Sequence, residues 1–154
     1  MDARYRIRPA TPADAPALAL LERVAFSDPW SETSLREVLS QSVAFGFVVE
    51  PVRSDGPVGY VLGRAVMGEG EVLNLAVEPR HRRRGIARRL LGDALAWFER
   101  EGVAAVFLEV REGNSTAIAL YQGEGFEVAG RRVNYYRQPV EAALVLRRGQ
   151  NRLA

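Results

Sequence analysis

The stretch Leu73-Asn74-Leu75-Ala76-Val77-Glu78-Pro79-Arg80-His81-Arg82-Arg83-Arg84-Gly85-Ile86-Ala87 runs from an apolar segment through a basic loop into the start of a helix. The apolar segment predicts a strand, and the apolar positions from Ile86 to Arg100 share one helical face. The first N–H groups of a helix are unpaired and partially positive, so they bind anions. Gly85 lets the backbone approach such an anion closely, and the arginines add forked donors. This stretch therefore predicts a site for a diphosphate.

The basic loop by itself leaves other uses open. A solvated arginine-rich loop and a nucleic-acid contact have the same local composition as a phosphate site. The loop has neither the spacing of a Walker loop nor that of a Gly-x-Gly-x-x-Gly dinucleotide turn. This difference argues against ATP and NAD as ligands.

The segments on either side of this stretch predict an α/β (α+β) fold. A helix is expected after Thr11, where Ala17, Leu20, Leu21 and Val24 recur at helical spacing, and further helices are expected at residues 31–39, 86–100 and 115–122. Strands are expected at residues 5–8, 43–50, 58–66, 71–77, 103–110, 126–136 and 142–146, with a turn over residues 51–57. The order β-α-α-β-β-β-α-β-α-β-β predicts a mixed sheet with helices on its faces.

Length and composition limit the class of protein. The chain has 154 residues, which predicts one domain over residues 1–154, and its 47% hydrophobic and 26% charged residues are typical of globular proteins. Because it has no cysteine and only one histidine, thiol nucleophiles and Cys- or His-rich metal sites are excluded. No apolar run approaches the roughly 18 residues of a membrane span, and no signal segment precedes Tyr5. We therefore expect a cytoplasmic protein with no membrane partner.

Two further residues, Glu109 and Tyr121, have side chains that can transfer protons in a catalytic site. Glu109 lies near the end of the apolar run from Val103 to Val110, which is typical of a buried central strand. Ligand crevices lie at the carboxyl ends of parallel strands, so Glu109 is either a solvent-facing residue or a general base there. Tyr121 ends the short helix that begins after Asn114, and a single Tyr on such a helix is more often a core residue with its hydroxyl hydrogen bonded.

In their order and spacing these segments resemble the Gcn5-related N-acetyltransferase (GNAT) superfamily. The run from Arg82 to Ala87 matches its Arg/Gln-x-x-Gly-x-Gly/Ala signature, with Ala87 in place of the second Gly. The sequence is most similar to the bacterial ribosomal-protein-alanine N-acetyltransferases, the RimI type. The resembling segments are Ala25-Phe26, residues 29–31, 73–77 and 108–111, Asn114, residues 117–121, Gly125-Phe126 and residues 132–136.

This resemblance implies a single, mixed, mostly antiparallel sheet of about seven strands with helices on both faces, acetyl-CoA as co-substrate and no metal. It implies a general base at Glu109 and a general acid at Tyr121. The implied cofactor-binding residues are Leu75, Ala76 and Val77 for pantetheine, Arg82, Arg83, Arg84, Gly85, Ile86, Ala87 and Arg88 for the diphosphate, and the Asn114 side chain. The implied peptide-binding residues are Trp30, Asn134 and Tyr135. Related chains often have an apolar residue where this chain has Gly123-Glu124, which predicts a looser end to the Tyr121 helix.

The implied reaction is direct attack of an amine on the thioester, without an acyl-enzyme. An α-amino group has a pKa of about 7.7–8.0 against about 10.4 for Lys, so a modest base can deprotonate an N-terminus near neutral pH. The implied substrate is the N-terminal amine, most often of alanine, of a small-subunit ribosomal protein, and no DNA partner is expected. A Lys side chain or a small-molecule amine remains as an alternative substrate. A non-catalytic RNA- or ribosome-binding module, with residues 80–89 as its contact, remains as an alternative of another class.

Overall fold

A computed structural model describes residues 3–53 and 56–150 and gives the elements in the predicted order. The helices are α1 (Ala15–Ala25), α2 (Glu32–Leu39), α3 (Ile86–Arg100) and α4 (Ser115–Gly123), and single 3-10 turns lie at Pro12–Asp14 and Pro79–His81. The strands are β1 (Tyr5–Pro9), β2 (Ala44–Pro51), β3 (Gly59–Val66), β4 (Glu69–Val77), β5 (Ala105–Arg111), β6 (Glu127–Tyr136) and β7 (Glu141–Gly149). Residues 54 and 55 of the predicted turn over 51–57 lie outside the described residues.

The strands form one seven-stranded sheet in the order β1-β2-β3-β4-β5-β7-β6. Every neighbouring pair is antiparallel except β4 and β5, which are parallel. This arrangement confirms the predicted mixed, mostly antiparallel sheet of about seven strands. Within the described part of the chain, no helix is long and apolar enough to cross a membrane.

Each face of the sheet has its own apolar core. One core joins α3 and α4 to side chains such as Val61, Val106 and Leu146, and the other joins α1 and α2 to Val48 and Leu62. The helices therefore cover both faces, as predicted. The face opposite α3 is covered by α1 and α2 over β2, β3 and β4, whereas the part of β5 around Glu109 lines an open groove on that face.

The buried face of α1 differs from the predicted one. Leu20 and Val24 are 58% and 62% exposed, whereas Leu18, Leu21 and Glu22 are buried. Residues 18, 21, 22 and 25 follow the 3.6-residue period of a helix, but one of them is a glutamate. Leu21 of the predicted stripe is buried as expected, whereas Leu20 and Val24 are not, because the buried stripe includes a charged residue that a search for apolar residues alone misses.

The parallel pair β4–β5 is short. Among the described residues it joins Glu69 to Glu71 with Ala105 to Phe107 and ends there. On its other edge β4 is bulged, since Asn74 lies opposite Leu62 and Val72 opposite Gly63, which leaves Leu73 as an extra residue. A bulge bends its strand and increases the local twist. Residues 74–77 of β4 thus diverge from residues 108–111 of β5, and we call the gap between them the opening.

We predict that Gly70→Ala destabilises the paired part of β4. Gly70 lies opposite Val106 of β5, and a Cβ atom there would be 2.6 Å from Cδ1 of the fully buried Phe98. Overpacking of this kind costs about 1–3 kcal/mol of unfolding free energy, which urea unfolding would measure. Gly92→Ala in α3 is the control, because a Cβ there meets nothing within 4 Å and should stabilise the helix by up to about 1 kcal/mol. Wild-type stability in Gly70→Ala would show that β4 does not pack tightly on Phe98.

Candidate active site

The edge of β4 that faces the opening has backbone groups that no strand uses. On its other edge β4 pairs with β3, where Tyr60 lies opposite Ala76 and Val61 opposite Leu75. The Leu75 N–H instead donates to Asn74 Oδ1 at 3.1 Å, and the Val77 carbonyl accepts from Arg82 Nε at 3.0 Å. An edge of this kind can hydrogen bond an extended ligand that lies along it like an added strand.

The basic loop ends in a left-handed turn at the start of α3. Gly85 precedes the first residue of the helix with φ +76°, a conformation that favours glycine, and Arg83 also has a positive φ of +63°. The Arg83, Arg84 and Gly85 residues are exposed, whereas Ile86 is only 2% exposed and can offer a ligand little beyond its backbone. The first N–H groups of α3 have no partner within the helix. This turn therefore fits a diphosphate.

Arg82 and Arg88, both predicted to bind the diphosphate, have protein partners in this structure. Arg82 bonds to the Val77 carbonyl, so it fixes the loop to the end of β4. Arg88 Nε donates to Glu124 Oε1 at 3.0 Å, and the Glu124 carbonyl accepts from Arg148 Nε at 2.7 Å. These two bonds connect the end of α4 to α3 and β7 at the position where the sequence predicts a looser helix end.

Glu109 faces the open groove, away from α3. Neighbouring residues of β5 point into the core, whereas the Glu109 side chain is 26% exposed and lines a groove of about 700 Å³. Its Oε1 lies 3.3 Å from Arg132 Nε, and the Tyr135 hydroxyl is near enough to interact with the same carboxylate. That interaction with Glu109, with a smaller effect of burial, raises the pKa of Tyr135 to about 12. The carboxylate is thus paired with Arg132 of β6.

Tyr121 is placed in α4 on the other side of the sheet from Glu109. It is buried, with its ring edge-to-face on Phe126 at a centroid distance of 5.8 Å. Burial raises the pKa of its hydroxyl to about 12. The group therefore stays protonated at physiological pH and can act as a proton donor.

Tyr136 belongs, with Asn134 and Tyr135, to the segment that the resemblance implies as a wall of the peptide groove. It is half-buried, Arg111 Cζ lies 4.5 Å from its ring centroid, and burial raises the pKa of its hydroxyl. Glu109 and Tyr121 both add to that rise, so Tyr136 lies within electrostatic range of both predicted catalytic groups. Because successive side chains of a strand alternate between faces, the Tyr135-Tyr136 pair was the signal that one of them faces inward.

Arg111 joins two loops, residues 26–31 between α1 and α2 and residues 137–140 between β6 and β7. Its guanidinium donates to Ser27 Oγ at 3.1 Å in the first loop and to the carbonyls of Arg137 at 2.7 Å and Pro139 at 3.0 Å in the second. It also pairs with Glu141 Oε1 at 3.3 Å. The sequence analysis missed this role, because the partners lie far from Arg111 along the chain.

The remaining predicted residues belong to three separate elements. Trp30 is half-buried in the α1–α2 loop, and Asn134 is exposed in β6 with φ +54°, which Asn tolerates better than most residues. Asn114 caps α4, because its Oδ1 accepts from the Ala117 N–H at 3.2 Å. Among the described residues no group of three or more His, Cys, Asp or Glu side chains could hold a metal ion.

Comparison with known proteins places this geometry in a family. Residues 15–126 match the model of the acetyltransferase (GNAT) family. The chain is 41% identical over 146 residues to the N-alpha-acetyltransferase RimI of Mycobacterium tuberculosis, covering 90% of this chain and 88% of that protein. It is 34% identical over 124 residues to the [Ribosomal protein bS18]-alanine N-acetyltransferase of Escherichia coli, covering 80% and 81% of the two chains.

A third relative is longer. An uncharacterized protein of Mycobacterium leprae is 40% identical over 144 residues, and the match covers 90% of this chain but 39% of that protein. Among solved structures, the Escherichia coli ribosomal-protein-S18-alanine N-acetyltransferase matches with a TM-score of 0.88 at 30% identity, covering 97% of this chain and 96% of that one. The chain therefore belongs to the GNAT family of acetyltransferases.

Proposed function

We propose that this chain transfers the acetyl group of acetyl-CoA to the N-terminal α-amine of a protein, and that its substrate is the N-terminal alanine of a small-subunit ribosomal protein in the cytoplasm. The observation that carries the proposal is the opening between β4 and β5, with Glu109 at one side and the start of α3 at its end. The printed functions of the Escherichia coli and Mycobacterium tuberculosis relatives support the choice of substrate.

Acetyl-CoA would lie along the open edge of β4. It supplies the acetyl group as a thioester. The backbone of Leu75, Ala76 and Val77 would bind its pantetheine arm as a partner strand does, and their N–H groups could polarise the thioester carbonyl. The exposed residues Arg83 and Arg84 and the N–H groups at the start of α3 would hold the diphosphate. The diphosphate site would be completed by Arg82, Gly85, Ile86, Ala87, Arg88 and Asn114.

The reaction needs one proton removed and one supplied. The α-amine must be neutral to attack, and Glu109 would take its proton, directly or through a water molecule. The new N–C bond forms as the C–S bond breaks, and Tyr121 would protonate the leaving thiolate. A positioned proton donor of this kind contributes typically 10²- to 10⁴-fold to the rate. The pKa of a Lys amine is about 2.5 units above that of an α-amine. Deprotonating a Lys substrate would therefore cost roughly 3.4 kcal/mol more.

The peptide would reach the opening between the two loops that Arg111 joins. Trp30 would form one wall of this groove, and Asn134 and Tyr135 would form the other. The Tyr135 hydroxyl interacts with Glu109, so this wall lies beside the proposed base.

We predict that acetyl-CoA releases thiol when mixed with this protein and a peptide that has a free N-terminal alanine, basic residues and no Lys. Because the chain has no cysteine, a thiol dye reads the released CoA without background. A peptide with a blocked N-terminus and an internal Lys should give no release. The Glu109→Gln variant is the control: it should bind acetyl-CoA as the wild type does but turn over about 10²- to 10⁴-fold more slowly.

Other outcomes of this assay would overturn the proposal. Release with only the Lys peptide would show a side-chain acetyltransferase. Salt-sensitive RNA binding that acetyl-CoA does not displace, with no release from either peptide, would favour a nucleic-acid module. Loss of acetyl-CoA binding in Glu109→Gln would show that Glu109 has a structural role instead of a catalytic one.

We predict that Gly85→Glu abolishes acetyl-CoA binding, measured by titration calorimetry. The new side chain would place bulk and negative charge where the diphosphate is expected. Gly102→Glu is a matched control, since Gly102 follows the other end of α3 with a similar φ of +72°. It introduces the same residue and a similar backbone strain away from the opening, so it should retain affinity. Equal affinity in the two variants would contradict the diphosphate site.

We predict that Tyr121→Phe slows turnover while leaving the fold and acetyl-CoA affinity intact. The raised pKa of about 12 means that the hydroxyl keeps its proton as the pH rises through 8 to 10. The wild-type rate should therefore show no fall from Tyr121 ionisation in that range, whereas an unperturbed Tyr, with a pKa of about 10, would be half ionised at pH 10. A pH–rate profile tests this. Wild-type activity in Tyr121→Phe would remove Tyr121 as the acid.

A further inference from the structure

Glu22 is a fully buried carboxylate that the proposed reaction does not use. It lies on the inner face of α1 with no exposed surface, and no ion pair among the described residues includes it. Burial raises its pKa. A buried charged or polar group is costly unless hydrogen bonds satisfy it. The neighbouring stripe of α1 is apolar, so a leucine at this position would be the simpler choice for packing.

Three donors from three elements converge on Glu22. The Trp30 backbone N–H, in the α1–α2 loop, donates to Oε1 at 2.9 Å. The Asn74 side-chain amide, in β4, donates to Oε2 at 2.6 Å, and the Tyr60 hydroxyl of β3 donates to the same oxygen. All three donors are neutral, so the network is held by geometry and not by charge pairing.

The network continues to the edge of β4 that faces the opening. Asn74 directly follows the bulged Leu73, and its Oδ1 accepts from the Leu75 N–H at 3.1 Å. Because the Asn74 amide nitrogen is bound to Glu22, its oxygen is left facing Leu75. One chain of hydrogen bonds thus runs from the backbone of Trp30 through Glu22 and Asn74 to the backbone of Leu75.

We propose that Glu22 is a positioning residue that holds the α1–α2 loop and residues 74–77 of β4 at one fixed spacing. It thereby sets the distance between a wall of the peptide groove and the strand that binds acetyl-CoA. This inference rests on the proposed function for the identity of both ligands. Hydrogen-bonded networks in a low-dielectric interior are rigid when every member is satisfied, which suits this purpose better than apolar contact does.

A pair of substitutions separates positioning from packing. In Glu22→Gln the new amide group faces either Trp30 or Asn74, so two donors oppose each other and one link of the chain breaks. Adding Asn74→Asp supplies an acceptor for that amide, while the second Asp oxygen can still accept from the Leu75 N–H. Tyr60→Phe is the matched control, because it removes a donor that belongs to neither the loop nor β4.

The kinetic readout uses the alanine peptide and acetyl-CoA. We expect Glu22→Gln to raise the KM for the peptide by about tenfold or more, the loss typical of one hydrogen bond to a charged group, with a smaller effect on kcat. The double variant Glu22→Gln/Asn74→Asp should recover most of this loss. Tyr60→Phe should lower the melting temperature yet leave the peptide KM near that of the wild type. Equal KM values in Glu22→Gln and the wild type would overturn the inference.

A second readout needs no turnover. The chain has two tryptophans, so in a Trp97→Phe background Trp30 alone reports on the α1–α2 loop by fluorescence. We expect acrylamide to quench Trp30 fluorescence more strongly in Glu22→Gln than in the wild type. In the double variant the quenching should return to the wild-type level. Unchanged quenching in Glu22→Gln would show that Glu22 does not hold the loop. The quenching measurement does not depend on activity. If the protein acetylated neither peptide, the proposed function would be refuted, but quenching would still test the role of Glu22.

Discussion

The early end of the parallel pairing between β4 and β5 is the constraint on which the site depends. If the two strands stayed paired beyond Glu71 and Phe107, the free edge of residues 74–77 would be used up within the sheet. The bulge at Leu73 redirects β4, and β3 keeps its other edge paired, so the strand diverges without losing its place. Backbone groups that would otherwise be costly to leave unpaired can then serve a ligand. The basic loop leads from the end of this strand to the start of α3, so a ligand on the edge of β4 would extend toward the turn proposed to hold the diphosphate.

The two groups proposed to move protons lie in contrasting surroundings. Glu109 is partly exposed and paired with Arg132. Tyr121 is buried, and burial alone raises its pKa. A carboxylate near solvent can release a proton again after each turnover, whereas a buried phenol with a raised pKa keeps its own proton across the physiological pH range. The two environments thus suit the opposite roles proposed for these side chains, a division found in many enzymes.

Local pattern predicted the elements well, and it predicted the contacts between them poorly. The bounds of α3 agree with the sequence prediction, because a clear apolar face lies between Gly85 and Gly102. The family resemblance supplied the candidate residues around the opening, which no single segment would have indicated. Periodicity missed part of the buried stripe on α1, since Glu22 is buried by partners from β3 and β4 that the sequence of the helix does not contain. The role of Arg111 was missed for the same reason: its partners Ser27 and Pro139 are 84 and 28 residues away.

Because the chain has no lysine, the cationic side chains that link its segments are all arginine. Arginines fix the basic loop to β4, α3 to α4, and the α1–α2 and β6–β7 loops to each other. A guanidinium offers several donors in a rigid plane, so one side chain can hold carbonyls from separate segments at once. It also stays protonated at all physiological pH values and is no nucleophile toward a thioester. In the proposed reaction no lysine side chain of the protein would therefore compete with the substrate amine for the acetyl group, and arginine can join the two loops without itself being acetylated.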